Sequence, residues 1–420
     1  MTTQEPAAGT ERGGNALRSV PLAVLVTAEL ISTFGSQMTF LALPWFVLQT
    51  TGSTARMGIV IAAELAPMAI LGIPFGAAIA RVGARRAMLA ADFGRAPLIA
   101  SIPVLHAAGA LSFPLLLVIV AGVGCFNAPY FAAQRVVLPE IVGENEQAVG
   151  LANALIEGGS RLAALLGPST AGLLIVGIGA TNVLYVDAGT YVASFLLVKL
   201  LVPHRRRDTA AEDSGGVLAG LRFLVRDRLL GPMIASVIVS NMAGPALSVG
   251  LLALAYHDYG KSSRVAGVLV AAISAGAIVG VIAAMTLITR VAPFTLATVA
   301  FVGGVLPLWA LTVKAPFAVL VLALAIFGAA TPLINAPVLG ALTMRTPEAL
   351  RPKVMAAVIT MATLASPLGA AAAGPLIGAI GTRPVLGLVA GAMTLSALAF
   401  AGVVLARQSE LTPARSAGGL

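Results

Sequence analysis

Twelve long apolar runs dominate this sequence and limit what the chain can fold into. A helix that crosses about 30 Å of hydrocarbon needs roughly 20 apolar residues, and in lipid only helices and closed barrels satisfy their backbone polar groups. The runs lie at approximately 20–48, 56–80, 87–106, 111–133, 147–176, 181–202, 229–256, 264–289, 293–312, 316–342, 353–380 and 384–406. They predict an all-α membrane protein with 12 transmembrane helices.

The few charges occur in short clusters between these runs. Only 10% of the residues are charged, whereas soluble domains carry roughly 25%. If the N-terminus is cytoplasmic, 20 Lys and Arg residues fall in inner segments and 5 in outer loops, with Arg161 inside a run. The positive-inside rule then predicts two cytoplasmic termini. Anionic lipid, and not nucleic acid, is the expected partner of the basic loops, and a composition rich in Ala, Gly, Val and Arg favours a bacterial plasma membrane.

The longest polar stretch, at 203–216, separates six runs from six. It is followed by a short amphipathic segment, with Leu221 and Leu224 on one face and Arg222 and Arg226 on another, which predicts a helix along the inner membrane surface. The predicted domains are a disordered tail at 1–19, a six-helix bundle at 20–202, a linker at 203–228, a second bundle at 229–406 and a tail at 407–420.

The two halves contain similar blocks. One pair is NAPYFAAQRVVLPE from Asn127 and NAPVLGALTMRTPE from Asn335, 208 positions apart. Another is Gly167-Pro168 and Gly374-Pro375, which are 207 apart. Since each half has an even number of runs, the repeat predicts two like-oriented bundles, an arrangement of transporters whose substrate site lies near the midplane. Coincidence between proline-rich helix ends is the alternative.

Redox, metal and nucleotide chemistry are not predicted. Cys125 is the single cysteine, so an internal disulfide is excluded, and the three histidines lack the spacing of a metal site. No GxxxxGK[ST] phosphate loop occurs in the sequence. We therefore expect no metal and no cofactor, and a proton gradient as the energy source.

The turn between the second and third runs carries a recognisable motif, GAAIARVGARRAML at 76–89. It resembles the pattern Gly-x-x-x-Asp-x-x-Gly-Arg-Lys/Arg of the major facilitator superfamily, aligned at Gly76, Gly83, Arg85 and Arg86. One extra residue, Ala84, precedes the arginines, and Ala80 stands at the acidic position. The resemblance covers nearly the whole chain and implies two six-helix bundles that rock around a central cavity. The missing acid removes a contact that is thought to latch the inner face in this family.

The fifth run, GGSRLAALLGPSTAG, is similar to the glycine-proline motif of the superfamily's drug and proton antiporters. Gly159 and Gly167 lie on one helical stripe that allows close helix approach, and Pro168 permits bending. Tight packing alone is the alternative. LISTFGSQMTFLALPWFVLQTTGS and RRAMLAADFGRA resemble the macrolide, tetracycline and enterobactin exporters. The resemblance favours an exporter and identifies no substrate. The leading predicted activity is export of amphipathic small molecules in exchange for protons, by a protein that functions as a monomer.

Ionisable residues inside the runs are candidates for proton or substrate sites, because charges in membranes are rare and unfavourable. Glu29 lies roughly 14 Å into the first run, Glu64 roughly 12 Å from the outer end of the second, and Glu157 about 15 Å along the fifth. Glu157 and Arg161 have the spacing of an ion pair, which is either structural or broken by substrate. Glu29 and Glu64 lack such a partner, as a proton-exchanging group requires; a hydrogen-bonded or headgroup-facing acid is the alternative.

Other polar residues in and near the runs predict a cavity and a gate. The cavity candidates are Asn127, Asn241 and Asn335, although hydrogen bonding between helices is the commoner role of such residues. Ion pairs that close the inner face are predicted among four residues near the cytoplasmic ends: Asp92, Arg95, Arg135 and Glu140. These pairs would compensate for the missing acid at position 80.

The predicted function is secondary active export. Export of a siderophore or another endogenous metabolite and nutrient import are alternatives. A membrane-embedded lipid enzyme and a receptor without transport belong to other classes. No nucleophile elbow or comparable constellation stands out, so no catalytic residue is predicted.

Overall fold

The computed structural model describes residues 20–142, 146–202, 217–227, 230–287 and 289–406. Six helices precede the linker: α1 (Val20–Thr51), α2 (Thr54–Val82), α3 (Ala84–Ala107), α4 (Phe113–Val142), α5 (Glu146–Ile178) and α6 (Ala180–Leu201). Seven follow: α7 (Val217–Arg226), α8 (Leu230–Asp258), α9 (Ser263–Leu287), α10 (Pro293–Val305), α11 (Phe317–Arg345), α12 (Arg351–Ile380) and α13 (Thr382–Ala406). Short 3₁₀ segments lie at Leu306–Thr312 and Glu348–Leu350.

Twelve segments, comprising every helix except α7, are long and apolar enough to cross a membrane, and the ninth includes the 3₁₀ segment after α10. The all-α fold and its 12 spans are confirmed, with boundaries a few residues from those predicted. The 32 residues of α1 would extend about 48 Å, so this helix tilts or continues past the hydrocarbon. The linker at 203–216 and both predicted tails lie outside the described residues.

Contacts divide the chain into two compact units. The first comprises Met1–Phe46 and Ala63–Glu212, and the second comprises Val47–Ala62 and Asp213–Leu420. Within the second unit, Thr54 Oγ1 donates a hydrogen bond to the Gly374 carbonyl at 3.0 Å. A side chain at Gly374 would collide with the Thr54 carbonyl. The start of α2 is therefore packed closely on α12.

The helices of the two units repeat, with separations that differ from one helix pair to the next. The turn between α5 and α6 is the single residue Gly179, and that between α12 and α13 is Gly381, with φ of 83° and 92°. Glycine is the residue that adopts such angles readily. These turns set a separation of 202 residues for the last two helices of each unit. The turns after α1 and α8 contain Gly52 and Gly260, which are 208 apart.

The register predicted from the Asn-Ala-Pro blocks is wrong by one helical turn. Gly124 of α4 packs against the Glu64 carbonyl of α2, and Gly328 of α11 packs against the Ile273 carbonyl of α9. These equivalent contacts are 204 residues apart, not 208. Backbone contacts at small residues fix how two helices meet, whereas prolines near helix ends do not. Asn127 therefore corresponds to Thr331 and not to Asn335.

The second pair of blocks is corrected in the same way. Gly167 packs against α1 at Gln37, and Gly369 packs against α8 at Met242. Since α1 and α8 are the first helices of the repeat, Gly369 and not Gly374 is the counterpart of Gly167. The repeat itself stands, and the packing glycines of its fourth and fifth helices are two residues closer in sequence in the second half.

Candidate functional site

Arg95 lies inside the first unit, at the midpoint of the 24-residue α3. Its guanidinium pairs with Asp92 one turn earlier and donates to Asn127 Oδ1 on α4 at 3.1 Å and to Ser32 Oγ on α1 at 3.5 Å. Ser194 on α6 donates to Asp92 Oδ2 at 2.7 Å. We call these residues, with the tyrosines and Glu29 described next, the charge cluster.

Two tyrosine rings enclose the guanidinium. The Arg95 Cζ atom lies 4.1 Å from the ring centroid of Tyr130 on α4 and 4.3 Å from that of Tyr191 on α6. The arginine side chain is 2% exposed, and cation–π attraction is strongest where water is excluded. The rings and the carboxylate therefore hold the arginine in one position.

Glu29 of α1 is buried at the edge of the charge cluster. Thr33 donates to its Oε1 at 3.2 Å, while Oε2 and the neighbouring Tyr130 hydroxyl are buried without a hydrogen-bond partner. Arg95, Asp92 and Tyr130 lie near enough to interact electrostatically with its carboxyl group. Buried polar atoms are nearly always hydrogen-bonded. An acid with one unpartnered oxygen beside a fixed cation is suited to gain and lose a proton.

A second pair of acids lies farther along the same unit. Asp187 of α6 is fully buried and accepts hydrogen bonds from Thr39 at 2.5 Å and Thr190 at 3.2 Å. Glu64 of α2 interacts electrostatically with this carboxylate. The Tyr191 hydroxyl lies 3.0 Å from Ser36 Oγ, so the ring that contacts Arg95 also faces this region.

Asp187, Tyr130 and Tyr191 were not among the predicted site residues. Asp187 carried a usable signal, because an acid inside an apolar run is unusual. The two tyrosines carried no such signal, because their role depends on rings from two different helices contacting one guanidinium. That contact appears only when α3, α4 and α6 pack together.

Glu157 and Arg161 form the ion pair that their spacing predicts, with Oε1 and Nη2 2.8 Å apart. Both side chains are exposed, unlike the charge cluster. Gly159 and Gly167 pack α5 on α1 at Leu30 and Gln37, while the ion pair lies on the opposite face at 100° per residue. Pro168 is buried in the same helix. A charged pair at mid-helix is favourable where it meets water and unfavourable against lipid.

The motif arginine Arg85 holds the end of α6. Its Nε donates to the Val202 carbonyl at 2.8 Å, and Nη2 donates to the carbonyls of Lys199 at 2.8 Å and Val198 at 3.3 Å. A cation at a helix C-terminus binds the free carbonyls and the negative end of the helix dipole. Gly83 forms the preceding turn with a φ of 90°.

Two of the remaining gate candidates are placed differently from expectation. Asp92 and Arg95 lie deep inside the first unit and not at the end that was predicted to face the cytoplasm, because α3 begins at Ala84 and its buried face turns them inward. Arg86 is exposed. Gly76 belongs to α2, and Arg135 and Glu140 belong to α4. The surroundings of these last three side chains lie outside the described residues.

The second unit contains a cavity of about 260 Å³ among α8, α10, α11 and α13. Two predicted asparagines line it, Asn241 and Asn335. The other principal lining residues are Ser240, Thr331, Phe301, Phe327, Met393 and Phe400. The lining therefore combines neutral hydrogen-bonding groups with aromatic rings and carries no charge. Asn241 donates to the Val237 carbonyl at 2.9 Å.

The cavity occupies the place in the second unit that the charge cluster occupies in the first. Most buried positions of α3 correspond to buried positions of α10 when 209 is added to the residue number. Gly304 is therefore the counterpart of Arg95 in the repeat. The separations for the other helices give the remaining counterparts: Val237 for Glu29, Phe301 for Asp92, Ile334 for Tyr130 and Met393 for Tyr191. Each charged or phenolic group is replaced by an apolar residue or glycine.

Comparison with known sequences decides the family. A sequence profile of the Major Facilitator Superfamily matches residues 25–288, more than half of the chain. The chain belongs to the Major Facilitator Superfamily. It is therefore a multi-pass membrane transporter for small molecules and not an enzyme.

The drug-exporter subgroup of the superfamily is also supported by individual relatives. Multidrug efflux pump Tap of Mycolicibacterium fortuitum is 29% identical over 411 residues, covering 93% of this chain and 97% of Tap. Tap of Mycobacterium tuberculosis is 25% identical over 415 residues, covering 94% and 96%. The predicted resemblance to superfamily drug exporters is confirmed.

Solved superfamily structures share the fold at low sequence identity. The nucleoside transporter NupG is 14% identical and covers 92% of this chain and 99% of its own, with a TM-score of 0.74. The human organic anion transporter MFSD10 is 16% identical and covers 94% and 100%, with a TM-score of 0.64. The two-bundle fold of the superfamily is thereby confirmed for this chain.

Proposed function

We propose that this transporter exports amphipathic small molecules in exchange for protons, with the proton sites in the first unit and a substrate cavity in the second. The observation that carries the proposal is the unequal distribution of charge. In the described parts of α8–α13, every Asp, Glu, Lys and Arg lies within three residues of a helix end, whereas Glu29, Glu64, Asp92, Arg95 and Asp187 lie well inside helices of the first unit.

Charge balance in the first unit supports proton exchange. Among the side chains that the structure describes in the first unit, three buried carboxyl groups, Glu29, Asp92 and Asp187, and the half-buried Glu64 accompany one buried cation, Arg95. One arginine balances one carboxylate, and Asp92 is its direct partner. Since a charge without a counterion is strongly unfavourable inside a membrane, the other carboxyl groups need protons or a cation. Glu29, beside the arginine and incompletely hydrogen-bonded, is the proposed coupling residue.

The chemistry of the second-unit cavity supports an amphipathic substrate. Aromatic rings and Met393 supply apolar contact area, and the amides of Asn241 and Asn335 donate and accept hydrogen bonds without adding charge. Export of compounds with an aromatic body and polar groups follows from this lining. The relatives named multidrug efflux pumps support the same direction of transport.

A proton gradient is sufficient for such export without a bound cofactor. A potential of about 100 mV contributes about 2.3 kcal/mol per proton, and one pH unit adds about 1.4 kcal/mol. Together they sustain a substrate gradient of about 500-fold per proton exchanged, given RT of about 0.59 kcal/mol.

The proposal includes a location and an assembly state. We place the protein as a monomer in a bacterial plasma membrane with both termini in the cytoplasm. The inner segments retain most of the Lys and Arg residues after Arg95 is assigned to the interior of the first unit.

Transport and proton movement are tested together in liposomes that contain the purified protein. A fluorescent uncharged aromatic dye with polar groups is added with a pH gradient, and dye transport and substrate-induced proton release are recorded. We expect both in the wild type, with dye transport abolished by a protonophore. Glu29→Gln should lose proton release, while Glu348→Gln, an exposed acid at a helix end, should keep it. Dye transport that ignores the protonophore, or full proton release by Glu29→Gln, contradicts the proposal.

A further inference from the structure

A groove of about 560 Å³ runs between α3 and α6 on the first unit. Its walls are apolar, and Phe93 and Phe195 form one end of it with ring centroids 6.0 Å apart. Asp92 lies in the floor, but its side chain is fully buried and faces the charge cluster. The open groove therefore offers only hydrocarbon contacts.

The groove exists because small residues of two helices face each other. Ala96 and Ala100 line it from α3, and Ala188 and Gly189 line it from α6. A Cβ atom built at Gly189 meets nothing within 4 Å, so this position is open. The ten residue-to-residue steps from Gly189 to Lys199 rise about 15 Å, which is half of a hydrocarbon core of about 30 Å. The groove matches the depth of one leaflet.

Positive charge is concentrated at one end of the groove. Lys199 Nζ lies 5.3 Å from the Phe195 ring centroid. Arg85 binds the Lys199 carbonyl at 2.8 Å, and Arg86 is exposed on the first turn of α3. That turn contains no acidic residue. The cations therefore lie together at one end of the apolar walls, near the ends of α3 and α6.

We propose that the groove binds one acyl chain of an anionic phospholipid, whose phosphate is held by Lys199 and Arg86. An ordinary lipid-facing helix pair offers acyl contacts without a fixed cation. Here Lys199 lies over the Phe195 ring, which also lines the groove. One lipid molecule can therefore contact the cation with its phosphate and the groove with its acyl chain. The bound lipid joins α3 to α6 next to Asp92 and thereby stabilises the first unit. This site does not depend on proton coupling.

Lipid binding is measured on the detergent-purified, full-length protein. Native mass spectrometry counts retained lipid, and thermal unfolding is followed with phosphatidylglycerol or phosphatidylcholine of identical acyl chains. We expect one phosphatidylglycerol to be retained and to raise Tm more than phosphatidylcholine does. Lys199→Gln should weaken phosphatidylglycerol binding about fivefold, the effect of one basic residue at an anionic surface, and Lys199→Arg should restore it.

A larger side chain that fills the groove distinguishes lipid binding at this site from general contact between lipid and the protein surface. Gly189→Leu should abolish the retained lipid, while Gly402→Leu, at another exposed helical position with open space around it, should keep it. Equal effects of the two phospholipids on the wild type overturn the proposal. Retention of phosphatidylglycerol by Gly189→Leu also overturns it, as does unchanged affinity in Lys199→Gln, which tests the site even if Gly189→Leu does not fold.

Discussion

The first unit holds an arginine, its acids and two tyrosines at a place where the second unit has a cavity. Both units build that place from the same four helices of the repeat, and some small polar residues persist, as Ser32 does in Ser240. Ser194 binds Asp92, whereas its counterpart Ser396 bonds to the backbone of Ser236 at 3.0 Å. A repeated backbone thus preserves helix packing while the chemical character of its buried side chains changes.

The two interiors differ because charge must be matched and space must be filled. Arg95 fills its site and needs Asp92 to be tolerated. With Gly304 at that position and apolar residues at the acid positions, the second unit needs no counterions, and a cavity remains. The same helix packing therefore accommodates a buried ion pair in the first unit and an uncharged, aromatic-lined cavity in the second.

The largest expected effect is the loss of Arg95. Arg95→Leu leaves Asp92 buried without a cation, and we expect unfolding to become easier by about 3–5 kcal/mol, with transport lost. Thermal unfolding of the purified protein measures this. Adding Asp92→Asn should recover much of the stability, because the unpaired charge is then removed. Stability unchanged by Arg95→Leu would mean that the charge cluster does not support the first unit.

Asn127 and Asn335 should differ, although both open similar sequence blocks. Asn127→Leu removes an acceptor from a buried guanidinium, so we expect a loss of about 1.5–3 kcal/mol in unfolding free energy. Asn335→Leu changes an exposed cavity residue and should leave stability within about 0.5 kcal/mol while weakening dye binding. Equal stability losses in urea or thermal unfolding would argue against the corrected register.

Filling the second-unit cavity should weaken substrate binding and leave proton binding unchanged. Gly244 lines the cavity, and a Cβ there meets nothing within 4 Å. We expect Gly244→Leu to weaken dye binding about tenfold, which corresponds to about 1.4 kcal/mol, in fluorescence titrations. Gly340→Leu, a helical glycine with equally open surroundings, is the control and should bind normally. Normal dye affinity in Gly244→Leu would remove this cavity as the substrate site.

The smallest expected effect concerns the Tyr130 hydroxyl. Tyr130→Phe keeps the ring over Arg95 and removes only the hydroxyl beside Glu29. The unfolding free energy should change by no more than about 0.5 kcal/mol, whereas Tyr130→Leu should lose about 1–2 kcal/mol through the missing cation–π contact. A larger effect of Tyr130→Phe in thermal unfolding would mean that the hydroxyl, and not the ring, holds the cluster.

Sequence patterns predicted local features well and contacts between helices poorly. The Glu157–Arg161 pair was predictable, because residues four apart on a helix meet whatever surrounds them. The partners of Arg95 were not, because Ser32, Asn127 and Tyr191 come from three other helices. The sequence predicts an inner gate for this arginine because the apolar run starts at position 87, whereas α3 begins three residues earlier, at Ala84.

The sequence by itself determined the spans, the twofold repeat and the superfamily, since hydrocarbon thickness demands long apolar runs that composition alone reveals. Only the tertiary structure decided the register of the repeat. It also showed that the charge cluster of the first unit and the cavity of the second unit occupy equivalent positions. Helices meet through small residues and matched side chains from distant positions, so neither blocks of similar sequence nor spacing within one helix specifies those contacts.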